Sequence, residues 1–278
     1  MKNILFPTDF SANSIHAMQF AIMIAKKTQS VITVLHVYTI PAASPYTIPL
    51  DTQLLLEEFK ENSENMMEKF KNDIQNQFDN VDLPPIVFKN DYGPITDTIT
   101  FLSEEINADL IVMSTAGINA KLDGLIGSTT FSVIEKSHCP VFAIPPQAIL
   151  KDVEHIIYAA DLEESELSSL KEVINFSSIF NAKTTILHVK ESEIEKKSHD
   201  DMFQLLKKEF SSDKINFEVV QNHVILDGIE NYINQLKPDV VALAKKNKGF
   251  WGNIFHKSIT KHFSHTSQLP LFILHKLS

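Results

Sequence analysis

Short apolar runs alternate with longer amphipathic stretches along this chain. Residues 3–8 (Asn3-Ile4-Leu5-Phe6-Pro7-Thr8) are almost wholly apolar and read as a buried strand that ends at Asp9. Ser11 follows as an N-cap, and Ile15, Met18, Ala21, Ile22 and Ala25 recur at helical spacing to about Lys27. Val31 to Val37 reads as a second buried strand. Tyr38 to Leu50 contains Pro41, Pro45 and Pro49 and has no periodicity, so it reads as a long loop. Residues 52–78 read as a charged helix with one Leu/Phe/Met stripe. Pro85–Lys89 then reads as a strand, Asp97–Ile106 as a helix and Asp109–Met113 as a strand. Thr129–Ser137 reads as a helix and Pro140–Ile144 as a fifth strand, with Pro145-Pro146 ending it. Near-continuous apolar strands separated by helices predict an α/β domain whose parallel sheet is covered on both faces.

The stretch from Ser114 to Thr129 stands between the Asp109–Met113 strand and the next helix. It holds three of the seven glycines in the chain, Gly117, Gly124 and Gly127. Glycine lets backbone turn tightly and approach a ligand closely. A glycine-bearing turn from a strand end into a helix N-terminus presents N–H groups and the positive end of the helix dipole to an anion. Ser128 and Thr129 add hydroxyls at that end. The expectation is a phosphate cradle, beside which Asp9 and Val37 also lie at strand carboxyl ends, where ligands of such sheets bind.

The pattern then recurs. Ile156–Asp161 matches Ile4–Asp9, and Ile186–Val189 matches Val34–Val37, both 152 residues on. Pro238–Val241 and Leu269–Ile273 match Ala108 onward and Cys139 onward at an offset of 130. Two copies of one domain are expected, residues 1–147 and 153–278. In the second copy Asn247, Lys257 and Ile259 replace Gly117, Gly127 and Thr129, while Ser258 matches Ser128. Phe250 and Trp251 stand where the first copy has Ala120 and Lys121. One competent site, in the first copy, is the expectation.

Composition narrows the chemistry. All 25 basic residues are lysine, so any phosphate must be held without arginine. The net charge of −10 argues against nucleic acid and anionic membrane as main partners. No apolar run reaches about 18 residues, the N-terminus enters a strand at once, and Cys139 is the single cysteine. A cytoplasmic protein is expected. The sequence has no G-x-x-x-x-G-K-[ST] and no G-x-G-x-x-G, which argues against Walker-type and dinucleotide-binding sites.

Pro7-Thr8-Asp9-Phe10-Ser11, Leu35-His36-Val37, the glycine-spaced loop and His138-Cys139-Pro140-Val141 together resemble the universal stress protein family in its tandem two-domain form. The family's ATP-binding loop reads G, two residues, G, nine residues, G, then S or T. Gly117 and Gly127-Ser128 match it, and Ser114 stands at the first glycine position. The resemblance implies two doubly wound domains of the adenine nucleotide alpha hydrolase type, each a five-stranded parallel sheet flanked by helices. It implies ATP, or ADP or AMP, with a magnesium ion possible, near Pro7, Thr8, Asp9, Val37, Met113, Ser114, Gly117, Gly127, Ser128 and Thr129. It further implies pairing of the two last strands, Pro140–Ile144 and about Pro270–Leu274, as an internal pseudo-dimer, with a homodimer and a regulatory protein partner possible beyond that.

Other readings stand beside this one. Asp9 is also suited to cap the following helix, and the glycines to a plain tight turn. His36 and His188 recur in both copies and read as structural. His262 and His265, with His256 nearby, are spaced for a metal but lack an obvious third ligand. No nucleophile–base pair stands at catalytic spacing, so an enzyme is not expected beyond slow ATP hydrolysis. A scaffold or interaction protein with a vestigial loop is the alternative to a nucleotide-binding regulator.

Overall fold

The computed structural model describes residues 1–40, 52–78, 82–117, 126–162, 166–191, 197–245 and 268–275. Its elements in the first half are β1 (Asn3–Pro7), α1 (Ala12–Thr28), β2 (Val31–Tyr38), α2 (Thr52–Gln77), β3 (Ile86–Tyr92), α3 (Ile95–Glu105), β4 (Leu110–Ser114), α4 (Ser128–Lys136) and β5 (Val141–Ile144). The second half holds β6 (His155–Ala160), α5 (Glu166–Ile179), β7 (Lys183–Lys190), α6 (Lys197–Glu209), β8 (Ile215–Gln221), α7 (Ile225–Leu236), β9 (Val240–Lys245) and β10 (Leu271–His275). The chain divides into two compact units, Met1–Asn119 with Gly127–Cys139, and Ala120–Ile126 with Pro140–Ser278.

In the first unit the strands run in the order β3-β2-β1-β4, all parallel. Ile4, Leu5, Phe6 and Leu110 to Val112 are fully buried, as continuous apolar strands require of a sheet covered on both faces. α1 starts where Ser11 accepts a hydrogen bond from the Ser14 N–H, the expected N-cap. It ends at Gln29, which takes the left-handed conformation (φ 55°) and returns its N–H to the Ala25 carbonyl. β3 runs three residues beyond the expected Lys89, because Asn90, Asp91 and Tyr92 pair with His36, Val37 and Tyr38. An edge strand tolerates polar residues that an apolar-run criterion rejects. The expected loop from Tyr38 starts one residue late, since Tyr38 closes β2, and its residues 41–50 lie outside those described.

In the second unit the order is β5-β10-β9-β6-β7-β8. All pairs are parallel except β5 with β10, which is antiparallel with Val141, Phe142 and Ala143 opposite Ile273, Phe272 and Leu271. The two last strands therefore pair, as the resemblance implies, and β5 groups with the second unit. Aromatic packing reinforces the pairing. The Phe176 ring of α5 stacks on Phe272 at 4.1 Å and meets Phe142 at 5.4 Å. Such contacts add to the area they bury.

The repeat extends to backbone detail. Phe10 and Leu162 (φ 60° and 59°), Gln29 and Asn181 (55° and 58°), and Asn107 and Lys237 (48° and 47°) occupy equivalent positions in the left-handed region. Six non-glycine residues placed there in matching pairs are a fingerprint of duplication, since each conformation is disfavoured by about 1 kcal/mol or more. Asp109 and Asp239 also correspond. Asp109 Oδ2 accepts from the Lys2 and Asn3 N–H groups at 2.5 and 3.0 Å. Asp239 Oδ2 accepts from Glu154 and His155 at 2.7 and 2.8 Å and pairs with Lys151. Each carboxylate pins the start of its unit's first strand.

Burial alone would raise the Asp239 pKa, but the hydrogen bonds from Lys151, Glu154 and His155 together take it below the ordinary value. Its stabilisation is then complete above the unfolded-state value of about 3.9 and is lost as pH falls through the lower folded-state value. Asp239→Ala should cost about 1–3 kcal/mol at pH 7. Urea unfolding of both proteins between pH 7 and 2.5 should show that gap shrinking only in acid.

Candidate functional site

The carboxyl ends of β1, β2 and β4 are joined by a short-range hydrogen-bond network. Thr8 donates its N–H to the Leu35 carbonyl at 2.9 Å and accepts the Phe10 N–H on its Oγ1 at 3.0 Å. Phe10 sits in the left-handed region, which turns the chain from strand to helix within a few residues. Its ring lies 4.3 Å from the His36 ring and 5.6 Å from that of Phe70, contacts that hold the turn. Asp9 stands at the apex. Its Oδ1 accepts from the Ser11 N–H at 3.1 Å and from the Ser14 hydroxyl at 2.7 Å. The capping reading of Asp9 is therefore present in the structure.

The other carboxylate oxygen faces Gly117. A β-carbon on Gly117 would stand 2.7 Å from Asp9 Oδ2, a distance no side chain accommodates unless the carboxylate moves. Glycine is favoured here by close approach rather than by conformation, since its backbone is not in the left-handed region. Asn13 of α1 donates to the Ala116 carbonyl at 3.1 Å and so holds the same turn from the helix side.

Ser114 is the last residue of β4. Its hydroxyl accepts from the Ala116 N–H at 3.2 Å and lies 3.0 Å from the Ala116 carbonyl, to which it donates. The serine at the first glycine position thus binds its own turn. Gly127 returns the chain, with its N–H on the Thr115 carbonyl at 2.7 Å, and Thr130 Oγ1 donates to the Ser114 carbonyl at 2.8 Å. A β-carbon on Gly127 would lie 3.2 Å from that Thr115 oxygen. Gly127 is the N-cap of α4 and carries no capping side chain, so Ser128 and Thr129 open the helix with no side chain from the cap across their N–H groups.

Of the expected site residues, Pro7 ends β1 and Thr8 and Asp9 follow it, Val37 lies near the end of β2, and Met113 and Ser114 end β4. Gly117 is drawn to Asp9, and Gly127 to the β4 exit. Thr8, Val37 and Met113 are buried, so their contribution to a surface ligand is through backbone and shape. Gly124, and the second-copy loop with Ser258, His256, His262 and His265, lie outside the described residues. Ser14, Asn13, Thr115 and Thr130 were not singled out from the sequence. A D-x-S-x-x-S run after a strand is the signal that would have pointed to Ser14. The other three are brought in only by folding.

His36 Nδ1 lies 2.8 Å from the Thr8 carbonyl. A carbonyl only accepts, so the neutral ring carries its proton on Nδ1. His188 makes the same bond to Ala160 at 3.0 Å. Both histidines are structural in this respect, as their recurrence suggested. Burial lowers the His36 pKa, opposed by the Thr8 hydrogen bond and the charge of Asp9.

A model of the universal stress protein family matches residues 1–145. The chain belongs to the universal stress protein family. A protein of Staphylococcus aureus (strain USA300) described as a universal stress protein is 27% identical over 164 residues, 59% of this chain and 95% of that one. A solved universal stress protein from Archaeoglobus fulgidus DSM 4304 superposes with a TM-score of 0.74 over 99% of this chain and 98% of its own, at 17% identity. One from Pseudomonas aeruginosa UCBPP-PA14 gives 0.63 over 99% and 93%, at 14% identity. These two likenesses establish the fold across both halves of the chain.

Gly117→Ala should lower stability by about 1–2 kcal/mol, as overpacking does, and should cost much less in an Asp9→Ala background. Thermal melts of the four proteins in that cycle decide it; equal cost in both backgrounds would remove the Asp9–Gly117 contact as the cause. For His36, the unfolded chain takes up its proton near pH 6.5, before the folded one. Stability should therefore fall as pH drops below that value and level off once the folded ring is charged. Denaturant midpoints of His36→Gln should show a shallower slope across this range, with the remainder from His155, whose pKa burial also lowers.

Proposed function

We propose that the first unit binds an adenine nucleotide at the carboxyl ends of β1, β2 and β4, and that the protein acts as a nucleotide-responsive regulator in the stress response. The observation that carries this reading is the pair of close glycines, Gly117 against Asp9 and Gly127 against Thr115, on either side of one strand-to-helix crossing. Membership of a family whose ATP-binding branch shares this loop pattern supports it. The site has a chemical direction. Asp9 favours hydrogen-bond donors such as a ribose hydroxyl or an adenine amine, and repels phosphate. The α4 N-terminus, with the Ser128 and Thr129 hydroxyls, favours the anionic end.

Charge then sets which nucleotides bind. Lys26, Lys60, Lys71, Lys89 and Lys136 pair with Asp82, Glu64, Glu68, Glu105 and Asp97. A helix dipole offers about half a charge, far less than a triphosphate carries. Among the described residues no group of three His, Cys, Asp or Glu is placed to hold a metal. The wider proposal is a tandem of residues 1–147 and 153–278 forming an internal pseudo-dimer in the cytoplasm. The nucleotide would alter the surface offered to a protein partner. No helix in the described residues is long and apolar enough to cross a membrane.

The second reading is a scaffold whose loop no longer binds nucleotide. It is favoured by Ser114, whose hydroxyl is engaged by its own turn.

Mass spectrometry of the denatured protein should release adenine nucleotide, and Mg-ATP at 100 times its Kd should stabilise the fold by about 2.7 kcal/mol. Gly127→Val should abolish that shift with the circular dichroism spectrum retained. In calorimetry, ATP affinity should rise with magnesium and AMP affinity should not. Absence of both bound nucleotide and shift selects the scaffold reading.

A further inference from the structure

β3 is the outermost strand of the first unit, and β2 is its one neighbour among the described strands. At its start the Ile32 N–H donates to the Pro85 carbonyl, and at its end the Gly93 N–H donates to the Tyr38 carbonyl at 3.3 Å. Peptide groups along a strand point alternately to its two sides. The odd-numbered residues therefore bond to β2, and Phe88, Asn90 and Tyr92 turn their N–H and C=O groups to the open edge. There the Asp91 carboxylate accepts the Tyr92 N–H at 2.8 Å. The edge is seven residues long, and its surface is partly apolar: Val87 is 45% and Tyr92 52% exposed. An edge of this length is a template for another strand unless something deters one.

Charges such as Lys89 and Asp91 are the usual deterrent, but their order here makes β3 complementary to itself. A strand that pairs antiparallel with its own copy about a two-fold axis has one residue opposite itself. Centred on Lys89 the pair sets lysine against lysine, and centred on Asp91 it sets aspartate against aspartate. Centred on Phe88 it sets the two charges against Val87 and Pro85. Centred on Asn90 it sets Lys89 opposite Asp91, twice by symmetry, and Phe88 opposite Tyr92. The backbone agrees with this register. Asn90 with Asn90, and Phe88 with Tyr92, become the hydrogen-bonded pairs. Lys89 and Asp91 fall at the places between, where Cα atoms stand about 4.5 Å apart and side chains are closest. Opposite charges and aromatic pairs across strands stabilise a sheet, and like charges destabilise it. Lys89 already pairs with Glu105 at 3.9 Å, but both are exposed, and such a pair is weak and exchangeable. β8, the equivalent strand of the second unit, has Glu218 and Val220 at the places of Lys89 and Asp91. Two β8 strands in the same register gain no ion pair, and β8 laid on β3 sets Glu218 against Asp91.

We propose that the protein forms a two-fold dimer in which β3 pairs antiparallel with β3 of a second copy, with Asn90 on the axis. The N–H groups of Phe88, Asn90 and Tyr92 then donate to the carbonyls of Tyr92, Asn90 and Phe88 of the second copy. Tyr92 gives up its bond to Asp91, whose carboxylate turns to Lys89 of the second copy. The contact uses the same patch on both copies, so it closes at two. It joins strand edges rather than strand ends, and the carboxyl ends of β1, β2 and β4 in the two copies face opposite ways.

Sedimentation velocity on the full-length protein over a concentration series tests this. The natural protein should show a monomer–dimer equilibrium that weakens as salt is raised. Lys89→Glu sets glutamate opposite Asp91, and Asp91→Lys sets lysine opposite Lys89. Each should weaken dimerisation about tenfold or more, with thermal melts showing both variants folded. Mixed in equal amounts, the two should recover dimerisation as a heterodimer. The introduced glutamate then faces the introduced lysine, and Asp91 of one copy faces Lys89 of the other. A natural protein that stays monomeric would overturn the proposal. So would a dimer that keeps its affinity in either folded variant, or a mixture that forms no heterodimer. Should a variant not fold, hydrogen exchange on the natural protein decides: the Phe88 and Asn90 amides should slow as concentration rises, and exchange that ignores concentration would overturn the pairing.

Discussion

The Asp9 carboxylate accepts from the Ser11 amide and the Ser14 hydroxyl with one oxygen and lies against Gly117 with the other. The first contact starts α1; the second sets how closely the β4 exit can come to the β1 exit. Charge-assisted hydrogen bonds of this kind are among the stronger ones a side chain makes. One carboxylate thus stands between the strand end, the helix start and the glycine turn. The left-handed turn at Phe10 and the His36 bond to Thr8 hold the peptide on which Asp9 is mounted.

The two units share this frame and differ in what they hang on it. Left-handed residues, the strand-pinning aspartates and the histidine bond to the first strand's last carbonyl all recur at equivalent positions. These are backbone constraints, and they tolerate wide change in side chains: Phe10 becomes Leu162 and Thr8 becomes Ala160 without loss of the turn. Divergence is concentrated at the ends of the strands and beneath the α2 and α6 helices. There Asn90 of β3 corresponds to Val219 of β8, each the register partner of the equivalent histidine. The last strands add a separate constraint. Phe142 and Phe272 face each other in the antiparallel β5–β10 pair, and Phe176 packs on both.

Apolar runs and helical spacing by themselves determined the element order of the first half, the parallel α/β class and the recurrence of four of its strands in the second. These depend on local periodicity and on burial of whole strands, both of which are written residue by residue. The Ser11 cap was legible for the same reason, since a cap is a local hydrogen bond. The polar end of β3 was not, because its pairing depends on what lies beside it. The pairing of β5 with β10 came from the family resemblance; its register and aromatic packing came from the structure. The glycines were legible as a turn, but their purpose was not. Gly117 lies close against Asp9, 108 positions earlier in the chain, and Gly127 close against a carbonyl of the strand exit. Only the tertiary structure decided that Ser114 binds its own turn and that Ser14 and Asn13 brace the site. Contacts between residues far apart in sequence leave no periodic trace, so they become visible only when the chain is folded.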